Sequence, residues 1–145
     1  MIRREIYEKV LEAVGGLRDI EGGALFRHVD LWNRNVEFVD QEDSWERPAL
    51  FLDFGAIEWQ HARPAPGERC SMRCVAELSL HVVTDWHAGC HPDAFGLLGT
   101  LRRALTGLFG DHFARMMPAR ELSNHDHGEL LEEILVMRYQ GYDAY

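Results

Sequence analysis

Lysine is almost absent from this chain: Lys9 stands alone, and the formal net charge is −9 at neutral pH. Extended nucleic-acid surfaces work through lysine and arginine releasing counterions from phosphates, so this balance argues against sequence-specific nucleic-acid binding. Cysteine is scarce as well. Three thiols, an odd number, argue against a disulfide framework and fit a reducing compartment. No stretch approaches the roughly 20 consecutive apolar residues that span a bilayer. Met1-Ile2-Arg3-Arg4-Glu5 leads into an amphipathic helix instead of an apolar leader. The expectation is a cytoplasmic protein with no membrane partner. A glycine-rich phosphate loop, a nucleophile elbow and an HExxH motif are all missing. The sequence therefore assigns no catalytic residue, no cofactor and no metal, and the chain does not read as an enzyme.

What is present is one well-patterned core. With 145 residues and 46% hydrophobic content, the chain suits one domain, residues 1–145, and is short for two. Its most informative stretch is 69–85. Cys70, Met72, Cys74, Ala76, Leu78, Leu80 and Val82 fall on one side of a strand, and Ser71, Arg73, Glu77, Ser79 and His81 on the other, with Val75 and Val83 as exceptions. Cys70 and Cys74 thus read as small core hydrophobes, not as thiol ligands. The strand is long against a usual ~5–6 residues, which predicts one arm of a projecting hairpin.

The remaining elements follow from periodicity and punctuation. Ile6, Val10, Leu11, Val14 and Leu17 recur at helical spacing, and Gly15-Gly16 marks the end of that helix. Strands are expected at 24–31 and 36–40, followed by an acidic loop, 40–46, that holds one aromatic residue. A strand at 49–59 has apolar residues on both faces, as a central position requires. The turn 61–69, with two prolines and a glycine, joins it to the 69–85 strand as an antiparallel hairpin. His91-Pro92-Asp93 opens a second helix with Phe95, Leu98, Leu101, Leu105, Leu108 and Phe109 as its buried stripe and Gly110 as its stop. A linker follows, with a short strand near 119–122, and then a closing strand from 130 to about 142. The fold class is α+β: a mixed, mostly antiparallel sheet with a long projecting hairpin and two main helices packed on one face.

Candidate chemistry is sparse. His87, Cys90 and His91 form one cluster and His125, Asp126 and His127 another; these are zinc-type donors, but neither cluster has paired finger-type spacing, and both sit in polar turns where histidine is tolerated. Asp53 and Glu58 lie on one strand but on opposite faces, so no acid–base pair converges. Asp53 reads better as part of a solvated strip or a subunit contact. Trp59 and Trp86 read as hairpin packing, whereas Trp45, in an acidic loop, reads as an interface anchor.

With the order of elements in view, the segments His28-Val29-Asp30-Leu31-Trp32-Asn33, Pro48-Ala49-Leu50-Phe51-Leu52-Asp53-Phe54 and Leu78-Ser79-Leu80-His81-Val82-Val83 resemble prophage proteins of the tail-terminator and head–tail joining type, minor tail proteins of the virion. The resemblance spans most of the domain and is carried by pattern and aromatic positions. It implies a compact subunit with helices on one face of a sheet, assembling as a ring, commonly a hexamer, on the end of the tail tube. It also implies tail tube protein and head-completion or connector protein as partners, and a place in the cytoplasm during assembly and in the virion tail if the prophage is active. No catalytic residue comes with it.

A ring needs a heterologous interface, in which one surface meets a different surface of the next copy. Two such surfaces are legible. The acidic loop carries Asp40, Glu42, Asp43, Trp45 and Glu46, and the hairpin tip carries His61, Arg63 and Arg69, so the tip of one subunit is expected to dock on the loop of the next. Two other classes fit the same residues: a small metal-dependent enzyme using the His/Cys clusters, and an adaptor module acting as a monomer or dimer.

Overall fold

A computed structural model describes residues 2–33, 45–61, 65–67, 69–85, 91–124 and 130–144. Eight elements run in the order α1 (Ile2–Gly15), β1 (His28–Leu31), β2 (Ala49–Phe54), β3 (Gln60–His61), β4 (Ser71–Asp85), α2 (His91–Leu105), β5 (Phe113–Asn124) and β6 (Leu130–Ala144). The strands make one sheet in the order β1-β2-β4-β6-β5, with β3 also paired to β4. Among the described strands only β1 and β2 run parallel; the other pairings are antiparallel. The α+β class, the mostly antiparallel sheet and the two helices on one face are as the sequence predicts. Among the described residues no helix is long and apolar enough to cross a membrane.

The helix-covered face holds the main core. Ile2, Ile6, Val10 and Val14 recur every four residues along α1, so they form one stripe, and all are buried. They pack with Leu98, Leu101 and Leu105 of α2 against Leu50 and Leu52 of β2, Cys74 to Val82 in alternation along β4, and Leu135, Met137 and Tyr139 of β6. Each large aliphatic side chain among them contributes roughly 1.5–3 kcal/mol when taken out of water. Gly141 lets α1 approach: a Cβ there would strike Ile2 and the sulfur of Cys74. The alternation along β4 assigns both faces correctly, and Cys74 is a buried free thiol, as expected.

Several boundaries differ from the sequence expectation, each for a local reason. The 24–31 strand begins only at His28, because the Asp19 carboxylate accepts the N–H groups of Glu21 and Gly23 and holds that stretch in a turn, with Gly22 at φ 86°. The 36–40 strand lies outside the described residues. The 49–59 strand stops at Phe54. There the N–H of Gly55 donates to the carbonyl of Glu77, and Arg3 from α1 donates to the Gly55 carbonyl and lies over the Phe54 ring. Pairing to β4 resumes at Gln60, so the hairpin is interrupted instead of continuous. The second helix ends at Leu105, with Gly107 in the left-handed region (φ 81°) as its stop in place of Gly110. Phe95 and Phe109 are exposed instead of buried, since the first faces away from the sheet and the second lies beyond the helix.

The largest difference is β5. A short strand near 119–122 is in fact twelve residues, Phe113–Asn124, paired along β6. It is an edge strand with mostly exposed side chains, Pro118 and two register shifts, between Ala114 and Met117 and between Pro118 and Arg120. Those irregularities erase the period of two on which a sequence reading depends.

Candidate functional site

No described helix covers the second face of the sheet. Register places Asp30, Phe51, His81, Ile134 and Leu122 in one row across it, and Glu77 opposite Arg138 in another. The face divides into three zones along β4.

At one end stands an aromatic cluster built on Phe51. Trp32, where β1 ends, lies edge-on to Phe51 with ring centroids 6.0 Å apart; Trp45 lies edge-on to it at 5.1 Å, and His28 tilts against it at 5.5 Å. Trp32 also stacks on His81, centroids 3.9 Å apart and planes 4° apart. Beneath that stack the His81 Nδ1 is 2.5 Å from Oε1 of Glu132, and Asn124 donates to the other carboxylate oxygen at 2.9 Å. Glu132 is 1% exposed. A buried carboxylate is tolerated only when hydrogen-bonded, and His81 and Asn124 supply those bonds. The His81 Nε2 is buried without a hydrogen-bond partner among the described residues, 3.7 Å from the Asp53 carboxylate. Arg47 secures the margin, pairing with Asp85 and lying over the Trp45 ring at 5.5 Å.

The middle zone is ionic. Arg120 forks onto both oxygens of Glu77, at 3.0 and 2.8 Å, and Arg138 reaches the same carboxylate at 3.2 Å. Hydrogen bonds from Arg120 and then Arg138 hold the Glu77 carboxyl below its ordinary range.

The far end is a groove of about 940 Å³ between the starts of β4 and β5 and the end of β6. Arg69, Arg73 and Arg115 line it together with Val75 and Tyr142. Arg115 sits in the first β5 irregularity with φ 56°, a left-handed conformation for a non-glycine residue. Behind the groove, His112 is tied to α1: its N–H donates to Glu5 at 2.9 Å, and its Nδ1 is 2.7 Å from the other Glu5 oxygen. The hydrogen bond to Glu5 raises the His112 pKa. Burial alone would raise Glu5, but the hydrogen bonds from His112 outweigh it and leave Glu5 lowered.

Of the interface residues expected from sequence, those described lie toward opposite ends of the sheet. Trp45 and Glu46 stand beside the aromatic cluster, with Trp45 half-buried on its own chain's Phe51 and Glu46 exposed. His61 is exposed on β3 opposite Met72, and Arg69 lines the groove. Asp40, Glu42, Asp43 and Arg63 lie outside the described residues, as do His87, Cys90, His125, Asp126, His127 and Trp86. His91 is the first residue of α2. Asp53 and Glu58 do not form a pair: Asp53 faces His81, and Glu58 lies exposed past the end of β2. Among the described residues no group of three or more His, Cys, Asp or Glu side chains is placed to hold a metal ion.

Sequence reasoning missed His81, Glu132 and Trp32 as a unit, and Arg73 and Arg115 as groove residues. One signal was available for the first group. Glu132-Glu133 interrupts an otherwise apolar strand, and two carboxylates at such a place need partners; Glu133, on the other face, accepts a hydrogen bond from Ser123 at 2.6 Å.

No protein-family model matches this chain, and no curated protein matches it. Among solved structures, a chain in the virion of a native gene transfer agent particle is similar to it with a TM-score of 0.53 and 14% sequence identity, the match covering 95% of this chain and 92% of that one. At that identity the likeness is one of fold, and it runs nearly end to end in both chains.

Proposed function

We propose that this chain, as one domain over residues 1–145, is a structural subunit of a phage-like particle: a tail-terminator or head–tail joining protein that assembles into a ring, commonly of six copies, caps the tail tube and offers a surface to the head connector. The observation that carries the reading is the end-to-end fold match to a chain of a gene transfer agent virion. A ring subunit works by geometry and not by chemistry, and the described residues fit that demand. The carboxylates of the uncovered face are engaged with arginine or histidine, as at Glu77 and Glu132. The two ends of the face carry different chemistry, aromatic with the exposed Glu46 beside it at one and arginine-lined at the other, which is the polarity a head-to-tail contact uses. A net charge of −9 suits a ring through which DNA passes without sticking. In this reading the partners are further copies of the chain, the tube protein below and the connector above, and the protein catalyses nothing.

Negative-stain electron microscopy of the purified full chain at high concentration tests the proposal. Closed rings of uniform diameter are the expected image. Particles no larger than a single subunit, with or without a tail tube preparation present, would contradict it.

A further inference from the structure

We infer that the arginine-lined groove at the far end of the uncovered face is the receptor for the acidic segment 40–43 of a second copy of this chain. The inference rests on the reading of the protein as an assembling subunit and assigns the surfaces that do the assembling.

Charge is the first ground. In a chain of net charge −9, Arg69, Arg73 and Arg115 face one groove and make no ion pair among the described residues, whereas Arg4, Arg47, Arg102, Arg120 and Arg138 each pair with a carboxylate. Asp111 and Asp143 also line the groove, with His112 beside them, so the balance stays cationic without becoming the broad positive surface that a nucleic acid needs. Exposed Val75 and Tyr142 add apolar surface, and the β5 irregularity carrying Arg115 at φ 56° interrupts regular pairing where the groove opens. That mixture suits a short acidic peptide better than a phosphate backbone. The chain itself contains one: Asp40-Gln41-Glu42-Asp43.

Reach is the second ground, and it decides between the same copy and another. Trp32 and Trp45, which bracket residues 33–44, are both packed on Phe51 at the opposite end of the face. From His81, beside Phe51, back to Arg73 is roughly 26 Å along β4, and Arg115 on β5 lies two strands farther across, about 10 Å more. Asp40 is five residues from Trp45 and so extends at most about 18 Å from it, and Asp43 about 7 Å. The segment therefore cannot fill its own groove. It can fill a neighbour's, and a contact between opposite ends of successive copies propagates head to tail, closing into a ring when the rotation allows.

A fluorescein-labelled peptide of residues 39–44 mixed with the full-length protein tests this by anisotropy. The protein should bind it, raised salt should weaken binding, and Arg73→Glu with Arg115→Glu should weaken it by about tenfold or more. Arg69→Glu with Arg73→Glu, which leaves the β5 irregularity untouched, should do the same, and the peptide with Asn and Gln in place of its acids should not bind. Equal binding by wild type and groove variants would overturn the inference, as would a short DNA duplex that displaces the peptide from the groove. The full chain offers a second readout. Arg73→Glu/Arg115→Glu and Asp40→Lys/Asp43→Lys should each fail to self-associate in sedimentation, while their equimolar mixture recovers association. Rings that form from the groove variant alone would sink this inference and leave the ring reading standing. Groove-dependent self-association that stops at open chains or pairs and never closes into rings would do the reverse.

Discussion

The imidazole of His81 lies flat against the indole of Trp32, ring centroids 3.9 Å apart, and its Nδ1 meets the buried carboxylate of Glu132. One histidine thus joins β4, β6 and the end of β1, and does so on the face that no described helix covers.

That junction should be costly to break. Removing the ring in His81→Ala takes a close partner from the Glu132 carboxylate, which is 1% exposed, and the expected loss is about 3 kcal/mol of folding stability. Trp32→Leu keeps apolar cover but no stack and should lose about 1 kcal/mol. Urea unfolding of the two variants measures both. A His81→Ala protein as stable as wild type would show that the dyad carries no weight in the fold.

The Glu5–His112 pair should give stability a pH signature. The hydrogen bond to Glu5 raises His112, so its contribution is complete below about pH 6.5 and fades as pH rises through the elevated folded value. Glu5 is lowered, so its contribution is complete above about pH 4.5 and fades as pH falls through the depressed folded value. The two windows overlap between them. The stability gap between wild type and Glu5→Gln should therefore be widest near pH 5.5 and narrower at pH 8.5, where the imidazole has lost its charge and the His112 backbone N–H still donates. Gly110→Ala should behave alike, because a Cβ there would collide with the Glu5 carboxylate. Urea midpoints at the two pH values provide the check, and a gap that does not change with pH would refute the assignment.

Tyr139 makes the opposite prediction. Its ring is fully buried, its hydroxyl has no hydrogen-bond partner among the described residues, and burial pushes the phenol up to about 12. Tyr139→Phe removes a desolvated donor and keeps the ring against Phe113, so stability should hold or rise by about 1 kcal/mol. A loss of similar size in thermal unfolding would mean that the hydroxyl is satisfied.

How far the sequence could be read follows from where each signal lives. Alternation along β4 and the helical spacing of Ile6, Val10 and Val14 are one-dimensional patterns that burial imposes directly, so both elements and most of their inward faces were legible, while Ile2 joins the buried stripe and Leu11 does not. β5 was largely hidden because an edge strand with Pro118 and two register shifts buries too little to print a period. The helix stop moved from Gly110 to Gly107 because a glycine marks either a left-handed turn or a close approach, and sequence does not distinguish them; Gly107 is the first and Gly110 the second. The His81–Glu132 dyad and the Arg69–Arg73–Arg115 groove join residues from different strands. Cross-strand register brings them together, and no local motif encodes it.

Assembly is the central claim, and native mass spectrometry of the full chain over a concentration series tests it most directly, because subunit number and bound metal are read from one spectrum. The account predicts a closed species of about six copies at the mass of the bare polypeptide, growing at the expense of monomer as concentration rises. A species that stays monomeric at every concentration and carries one tightly bound metal ion would contradict it and return the histidine and cysteine clusters to the centre of the problem.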